Sequence, residues 1–460
     1  MMRIITRTRM RQAFNTGNWK KSRRLAFKLV ETDNESELAR SVIIRSYWNE
    51  KDYSNVEKFI NLWPNSNLFE IEKLLPDRLE REHAPTISPN IPAIIPSPGI
   101  EREWNPDNLI SNYYQEGSTL WLKTPETWAH WEMPVGFILE NTNPALLELA
   151  IELLLRPWIS CVKKPFSTKR TNGSRYGLAF SAGIDSTAAM LVLPENVVLG
   201  YHQRNFDSMI DHRNALRLID YLKPNKEIII VKSNHECIRT FYEKPNGFST
   251  DYASGVHLVL LADFLDLKGI CFGMPIDNGW LNRGRKYRNF ADSGHWKYWS
   301  KRFDEAGLSL VLPINMISEA GAMKICQSSG IIGSLNSCLR GDGINGCGNC
   351  WKCFNKNGPR GEQIDYQSVE IQAFLNKRPL KTAMHALWAI KKMNVGHLVP
   401  DLEHLLAMDF SWWEDVYIEG FKILPEDLSG HIKKEIFAIL KPIENPSVLE
   451  NADLFPAHPL

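Results

Sequence analysis

The sequence predicts an α/β protein whose central part is built on a parallel β-sheet. From residue 176 to about residue 330, short apolar segments of strand character alternate with segments of helical character. This alternation is typical of βαβ units, which bind ligands at the carboxyl ends of the parallel strands. Two further observations complete the prediction: helical segments flank this region, and four cysteines are crowded into residues 338–353.

Composition predicts a globular protein with a sizeable core. The chain has 460 residues, of which 43% are hydrophobic and 23% charged, and a net charge of +1. Its length suggests two to four structural units, and no apolar stretch is long enough to span a bilayer. The amino terminus lacks the apolar core of a signal peptide. Eight cysteines, half of them clustered, indicate a metal site in a reducing cytoplasm.

Residues 1–83 are predicted to form an α-helical interaction segment. Gly17-Asn18-Trp19 recurs as Lys51-Asp52-Tyr53, an offset of 34 residues that also aligns further apolar positions. This period resembles the tetratricopeptide repeat, and a plain pair of helical hairpins is the alternative. The first 30 residues hold nine basic side chains and no acidic one. We expect this segment to bind a protein partner or target, with nucleic acid as the other candidate.

Residues 84–160 are predicted to be a linker followed by a covering segment. Residues 84–99 contain five prolines, which exclude regular helix and a central strand. Residues 100–160 are rich in aromatic side chains and include a helical run at 143–156. We expect this part to cover one edge of the sheet.

The strands and helices of the central region follow in a regular order. Strands are predicted at 176–180, 196–201, 227–232 and 269–273, and helices at 186–192, 208–222 and 252–267. Beyond residue 361 the pattern predicts a helical carboxyl-terminal cap over 361–460, with helices at 368–376, 381–393, 402–408 and 431–440.

The turn after the first of these strands is a candidate phosphate-binding loop. It reads Ser181-Ala182-Gly183-Ile184-Asp185-Ser186-Thr187 and leads into a helix. Free backbone N–H groups, a helix dipole and hydroxyl groups at such a turn favour the binding of phosphate oxygens. No lysine follows the glycine as it does in Walker-type loops.

Four cysteines form a candidate metal site. Cys338, Cys347, Cys350 and Cys353 have the spacing C-x8-C-x2-C-x2-C on a glycine-rich segment. Four thiolates can surround one Zn²⁺ tetrahedrally and leave no open position, so the site would be structural. An iron–sulfur cluster is the alternative occupant. The remaining cysteines, Cys161, Cys237, Cys271 and Cys326, are scattered and are interpreted as core residues.

The turn resembles the SGGxDS signature of the PP-loop ATP pyrophosphatases, with Ala182 in place of the second glycine. The resemblance implies a Rossmann-like domain of the adenine nucleotide α-hydrolase type that cleaves ATP between the α and β phosphates. The ATP-binding residues implied are Ser181, Ala182, Gly183, Ile184, Asp185, Ser186 and Thr187. The methyl group of Ala182 leaves less room for the backbone of the turn to approach a phosphate group. It also makes a positive φ angle at this residue less favourable.

Together with the cysteine spacing, the turn resembles the 7-cyano-7-deazaguanine synthase family over residues 176–356, within a predicted catalytic domain at 161–360. Tyr201-His202-Gln203-Arg204-Asn205 is similar to the YGQRH motif of that family. A turn from Gly273 to Asp277 stands where the family has a glycine and then an acidic residue. The substrate-binding residues implied are Tyr201, Gln203, Arg204, Gly273 and Asp277.

The resemblance implies an ATP-dependent C–N ligase that uses ATP, Mg²⁺ and a structural Zn²⁺. A carboxylate such as that of 7-carboxy-7-deazaguanine would be adenylated with release of pyrophosphate, and an amine would then give an amide or a nitrile. Asp185 and Arg204 are the catalytic candidates: Asp185 orients the loop or a metal-bound water, and Arg204 clamps phosphate. Enlarged relatives in anti-phage gene clusters imply that the deazaguanine can be attached to a protein.

Two other functions remain open from the sequence. One is thiolation of a tRNA base, which would need Cys271 or Cys326 as a persulfide carrier and would use the basic, aromatic segment 281–302. The other is a non-catalytic adaptor that binds nucleotide, which the substitution at Ala182 favours. A homodimer is also left open.

Overall fold

The structure is a computed structural model that describes residues 2–32, 36–50, 52–63, 68, 71, 75, 95–205, 210–244 and 247–455. The chain divides into two compact units, one formed by Met1–Ile87 with Phe455–Leu460 and the other by Ser88–Leu454. The division falls within the proline-rich linker predicted at 84–99, of which residues 84–94 lie outside the described residues.

The first unit contains four helices in the part that the structure describes. They are α1 (Met2–Asn15), α2 (Trp19–Thr32), α3 (Glu37–Glu50) and α4 (Tyr53–Leu62). The second and fourth helices therefore begin 34 residues apart, as the sequence repeat predicts. Ala26 and Val56 are fully buried, and Phe59 stacks on Tyr47, so the repeated apolar positions form the core of the unit. Consecutive helices of the unit also contact one another.

Most basic side chains of the first unit point to solvent. Arg23, Arg40 and Arg45 are partly buried, and Arg23 pairs with Glu50 and lies over the ring of Tyr47. The exposed members are Arg7, Arg9, Arg11, Lys20, Lys21, Arg24, Lys28 and Lys58.

The second unit is organised around one eight-stranded sheet. Its strands are β1 (Tyr113–Glu116), β2 (Thr119–Lys123), β3 (Trp128–Glu132), β4 (Arg175–Ala179), β5 (Val198–Arg204), β6 (Ile228–Ser233), β7 (Leu267–Phe272) and β10 (Ser309–Val311). A separate two-stranded ribbon consists of β8 (Leu281–Asn282) and β9 (Lys286–Tyr287). The order of the large sheet is β1-β2-β3-β6-β5-β4-β7-β10. Strands β6, β5, β4, β7 and β10 are mutually parallel, as predicted.

The predicted covering segment joins the sheet as strands β1 to β3. These strands are antiparallel, and β3 meets β6 through the pair Trp131 and Ser233. Trp131 is fully buried at this junction, and the side chain of Asn234 accepts a hydrogen bond from the backbone N–H of His130. The aromatic residues of this segment thus extend the sheet by three strands.

Helices connect and flank the strands of the second unit. They are α5 (Pro144–Leu155), α6 (Ile184–Val192), α7 (Arg213–Leu222), α8 (Val256–Leu260), α9 (Gly294–Glu305), α10 (Glu319–Ser328), α11 (Val369–Asn376), α12 (Ala383–Lys392), α13 (Glu403–Leu406), α14 (Glu426–Phe437) and α15 (Ser447–Glu450).

Two predicted helices are shorter in the structure. The predicted helix at 208–222 begins at Arg213, and residues 206–209 lie outside the described residues. The helix predicted at 252–267 is limited to α8, which ends at Leu260, and β7 begins at Leu267.

A glycine on strand β5 explains how α8 packs so closely on the sheet. A Cβ atom on Gly200 would lie 2.6 Å from Cδ2 of Leu258 and 2.8 Å from Nε2 of His257. Only a residue without a side chain fits there. The contact brings His257 against β5 at Gly200.

The carboxyl-terminal helices are part of the sheet-containing unit. The backbone N–H of Met384 donates to the carbonyl of Gly284, and that of Tyr417 donates to Met316. His385 and Trp413 are buried. Residues of the predicted cap can therefore reach the functional region of the sheet.

Candidate functional site

The Ser181–Thr187 turn lies at the carboxyl end of β4, the central strand of the parallel part of the sheet. Strand β5 lies on one side of β4 and β7 on the other, so the chain winds away from β4 in both directions. Open α/β sheets bind ligands at such a reversal of strand order. The turn is therefore in the position from which a parallel sheet presents a ligand.

Ala182 adopts the left-handed backbone conformation that a glycine would adopt without strain. Its φ angle is 56° and its side chain is buried. This conformation costs a residue with a Cβ about 1–2 kcal/mol. The turn thus keeps a glycine-type geometry although the sequence has an alanine.

The hydroxyl of Ser186 organises the turn from within. Its Oγ accepts hydrogen bonds from the backbone N–H groups of Ser181 and Gly183, each at 3.2 Å. The N–H of Ile184 donates at 3.0 Å to Oγ of Ser337, the residue before the first clustered cysteine. The hydroxyl groups of Ser186 and Ser337 therefore already accept hydrogen bonds from the backbone N–H groups of the turn. A phosphate group that binds to the turn would have to compete with these hydroxyl groups for the same N–H donors.

Asp185 belongs to a buried charged cluster behind the turn. Nζ of Lys356 donates to Oδ2 of Asp185 at 2.5 Å and lies 3.3 Å from Oε2 of Glu319. Burial raises the pKa of Asp185 even though Lys356 opposes the shift. Burial also acts to raise the pKa of Glu319, but Lys356 and His385 together keep it below its ordinary value.

Asp277 lies behind the same cluster and does not line the cavity. Its side chain is fully buried, and its Oδ2 accepts a hydrogen bond from the N–H of Glu319 at 2.9 Å. Burial, and then the charge of Glu319, raise its pKa well above the ordinary value. Asp277 therefore stabilises the start of α10 through this hydrogen bond, and it cannot directly contact a ligand in the cavity.

The turn opens into a cavity of about 810 Å³ at the carboxyl ends of the strands. Small-molecule sites are typically about 300–1,000 Å³. The predicted site residues that line it are Ser181, Gly183, Asp185, Ser186, Tyr201, Arg204 and Gly273, together with Cys338 and Cys350. Ala182, Ile184, Thr187, Gln203, Asp277, Cys347 and Cys353 are not among the lining residues.

Arg204 and Tyr201 are both held by neighbouring side chains. Nη1 of Arg204 donates to both carboxylate oxygens of Glu236, at 3.0 and 3.2 Å. Tyr201 donates its hydroxyl hydrogen to Nδ1 of His212 at 2.5 Å, because Nε2 of that ring donates to the carbonyl of Arg204. The partners Glu236 and His212 could not be predicted from the sequence, because neither belongs to a recognisable motif.

Gly273 permits β7 to approach the turn closely. A Cβ atom there would lie 2.9 Å from the backbone of Asp185. The residue therefore fixes the distance between the end of β7 and the candidate phosphate-binding turn, which is a packing role in addition to lining the cavity.

Three histidines line or adjoin the cavity as neutral rings. His202 stacks on His235 with ring centroids 4.2 Å apart, and His257 is 5.9 Å from His202. Burial lowers the pKa of His235 to about 3 and that of His257 to about 4. Burial and the neighbouring imidazoles also lower the pKa of His202 well below its ordinary value.

The four clustered cysteines converge as the spacing predicts. Their Sγ atoms lie within 4.8 Å of one another, and of the described residues they are the group that could hold a metal ion. Backbone N–H groups of Arg340 and Cys347 point at Sγ of Cys338, each at 3.4 Å. Four convergent thiolates supported by N–H groups fit Zn²⁺ and leave no open position.

Several cationic residues of the cavity were missed by the sequence analysis. They are Arg340, Lys352, Lys356 and Lys381. Burial lowers the pKa of Lys352, and the charges of Lys356 and Arg204 lower it further. Lys352 and Lys356 lie close to the clustered cysteines in sequence, and this proximity could have indicated that they belong to the site. Lys381 lies in the carboxyl-terminal segment, and nothing in the sequence near it indicates a place in the cavity.

The basic, aromatic segment 281–302 is partly committed to internal contacts. Arg302 pairs with the buried Glu152, Arg288 donates to the carbonyls of Asn278 and Gly279, and Trp299 is buried. These side chains stabilise the fold. The exposed basic residues of the segment are Arg283, Lys286, Lys297 and Lys301. A nucleic-acid interface in this segment stays a hypothesis.

The scattered thiols are poorly placed for sulfur transfer. Cys237, Cys271 and Cys326 are buried, and burial raises the pKa of Cys237 to about 12 and those of the other two further. None of the three lines the cavity. A persulfide on Cys271 or Cys326 would have no access to a substrate there.

Comparison with known proteins gives one family match. The model of a family described as a family of unknown function (DUF6395) matches residues 298–448, less than half of the chain. No curated protein and no solved structure matches the chain. The matched range includes the cysteine cluster together with Lys356 and Lys381, two residues that line the cavity. In the part of the chain that the structure describes, no helix is both long and apolar enough to cross a membrane.

Proposed function

We propose that this protein is an ATP-dependent enzyme of the PP-loop type that adenylates a carboxylate. The observation that carries the proposal is the position of the Ser181–Thr187 turn, which joins the central strand to α6 and lines a cavity rich in cationic side chains. Backbone N–H groups at the start of a helix bind phosphate oxygens, and lysine and arginine neutralise their charge.

The chemistry follows from this arrangement. A carboxylate oxygen of the substrate attacks the α-phosphorus of ATP, and the bond to the β-phosphate oxygen breaks with release of pyrophosphate. An amine then attacks the acyl carbon, loses a proton and displaces AMP, which leaves an amide. Arg204 would orient the phosphates, and its pairing with Glu236 fixes the plane of the guanidinium group.

The described residues are compatible with both expected metal ions. A Mg²⁺ ion bound to ATP would be held by Asp185, whose Oδ1 has no hydrogen-bond partner among the described residues. Such an ion neutralises charge on the phosphates. Cys338, Cys347, Cys350 and Cys353 would hold Zn²⁺, which ties the segment that carries Ser337, Lys352 and Lys356 into one rigid unit.

The resemblance to 7-cyano-7-deazaguanine synthase supports a deazapurine carboxylate, such as 7-carboxy-7-deazaguanine, as the substrate. The acceptor is ammonia or an amine of a protein, which would serve anti-phage defence. The neutral rings of His202 and His257 at the cavity wall suit a flat heteroaromatic molecule, because they offer stacking and uncharged hydrogen-bonding groups. The cytoplasm, as a reducing compartment, suits the cysteine cluster.

We assign target selection to the helical first unit. Its exposed basic side chains form no part of the cavity and are suited to an acidic protein partner. Deletion of residues 1–83 should therefore abolish modification of the target and preserve ATP binding. A truncated chain that still modifies its target would contradict this assignment.

Carboxylate-dependent exchange of labelled pyrophosphate into ATP tests the proposed reaction. The full-length protein should catalyse this exchange with 7-carboxy-7-deazaguanine and without an amine, because adenylation is reversible until AMP is displaced. Gly183→Val should abolish exchange, since the new side chain enters the space beside Oγ of Ser181 and Oγ of Ser337, both 3.4 Å from the Cβ position. Exchange that is unchanged in this variant would contradict the assignment of the turn.

A further inference from the structure

Two lysines that line the cavity have no anionic partner. Lys352 lies between the clustered cysteines, and Lys381 follows α11 in the carboxyl-terminal segment. Neither forms an ion pair with a described residue, whereas the neighbouring Arg204, Arg340 and Lys356 each pair with a carboxylate.

Both ammonium groups approach the same aromatic ring. Nζ of Lys381 lies 3.7 Å from the ring centroid of Trp351, and Nζ of Lys352 lies 6.0 Å from it. Trp351 also lines the cavity, and its other neighbour is Phe374 of α11. Both ammonium groups therefore lie beside the same indole ring at one wall of the cavity.

A positive charge that is partly removed from water is unfavourable unless an anion pairs with it. The surrounding carboxylates do not serve this purpose, because Glu370 pairs with Arg340 and Asp185 with Lys356. The cavity wall beside the cysteine cluster thus carries two positive charges that form no ion pair with a described residue.

We propose that Lys352 and Lys381, arranged around Trp351, form a binding subsite for the β- and γ-phosphates of ATP and for the pyrophosphate produced from them. The inference rests on the proposed function and adds a second wall to its nucleotide site. The Ser181–Thr187 turn supplies neutral N–H donors, and this subsite supplies the charge that the turn lacks. The carboxyl-terminal segment is then part of the active site, because it contributes Lys381.

Calorimetric titration of the full-length, zinc-loaded protein with ATP, pyrophosphate and AMP tests the subsite. Lys352→Met and Lys381→Met each remove a charge and keep the length of the side chain. Each should weaken the binding of pyrophosphate and ATP about tenfold, and the double variant more strongly. The affinity for AMP should change less than about twofold, because AMP lacks the phosphates that the lysines would bind.

Matched controls separate this subsite from general electrostatics and from the proposed function. Lys377→Met removes an exposed charge from the same segment outside the cavity and should leave all three affinities unchanged. Zinc content and thermal stability should be the same in all variants, and Lys381→Met keeps the test valid if Lys352→Met disturbs the cysteine cluster.

Each outcome has a distinct meaning. Wild-type affinities for ATP and pyrophosphate in the double variant, together with loss of ATP binding in Gly183→Val, would overturn the subsite and leave the proposed function intact. An equal loss of affinity for AMP would also overturn it. A wild-type protein that binds neither ATP nor pyrophosphate would refute the proposed function itself.

Discussion

Nζ of Lys356 lies 2.5 Å from Oδ2 of Asp185 and joins the segment of the cysteine cluster to the phosphate-binding turn. The two residues are 171 positions apart in sequence. Lys356 also lies 3.3 Å from Glu319, so one lysine pairs with two carboxylates. The turn, the metal-binding segment and the start of α10 are thereby held in one arrangement.

This arrangement predicts that removing the charge of Lys356 and removing the charge of Asp185 have unequal effects on the free energy of unfolding. Lys356→Met leaves Asp185 and Glu319 uncompensated and should lower the free energy of unfolding by about 3 kcal/mol. Asp185→Asn should cost less, because Lys356 keeps Glu319 as a partner. Denaturant unfolding measures both values, and the double variant should be more stable than Lys356→Met alone. Equal losses in the two single variants would show that the ion pair is not shared in this way.

Replacement of Ala182 by glycine should relieve the strain of the turn. Because the φ angle of Ala182 is 56°, Ala182→Gly should raise stability by up to about 1 kcal/mol and should not weaken ATP binding. Ala188→Gly, six residues further and inside α6, is the control and should cost about 1 kcal/mol. Loss of stability in Ala182→Gly would indicate that the methyl group contributes packing that outweighs the strain.

The buried histidines predict sensitivity to acid. The folded state holds the pKa of His235 at about 3 and that of His257 at about 4, below the ordinary value of 6.5. The unfolded chain therefore binds more protons below pH 6.5, and stability is present above that pH and falls as the pH decreases toward 4. Thermal unfolding from pH 8 to pH 4.5 should show this loss.

Variants of the histidines provide the comparison. His257→Gln should flatten the acid limb of the stability profile, because its side chain does not titrate. His397→Gln, at an exposed position, should leave the profile as in the wild type. Identical acid limbs in His257→Gln and the wild type would mean that other groups cause the loss.

The cysteine cluster should contain one zinc ion per chain. Cys350→Ser should lower the thermal stability and release zinc, because a closed site of four thiolates supports the fold. Cys161→Ser, outside the cluster, is the matched control and should retain the metal. Iron and sulfide in the purified protein, or four thiols that are freely alkylated in the absence of metal, would contradict the zinc assignment.

The sequence predicted the features whose chemistry is local. The turn at 181–187 and the four cysteines each depend on short spacings, and the parallel strands follow from the alternation of elements. The helical pairs of the first unit follow from the offset between Trp19 and Tyr53. Each of these signals is contained in a few tens of residues.

What the sequence did not predict depends on contacts between distant segments. Strands β1 to β3 were missed because their aromatic residues pack on both faces of the sheet and show no clear alternation. The pairing of Lys356 with Asp185 arises only when the segment of the cysteine cluster packs on the turn, and Lys381 enters the cavity only when the carboxyl-terminal segment packs on the sheet.

Analysis of the products formed from ATP labelled at the α-phosphate tests the central claim most directly. With the full-length protein and 7-carboxy-7-deazaguanine, the label should appear in AMP or in an adenylated intermediate, and pyrophosphate should be released in equal amount. The appearance of labelled ADP together with inorganic phosphate would contradict the account, because it would place cleavage at the γ-phosphate.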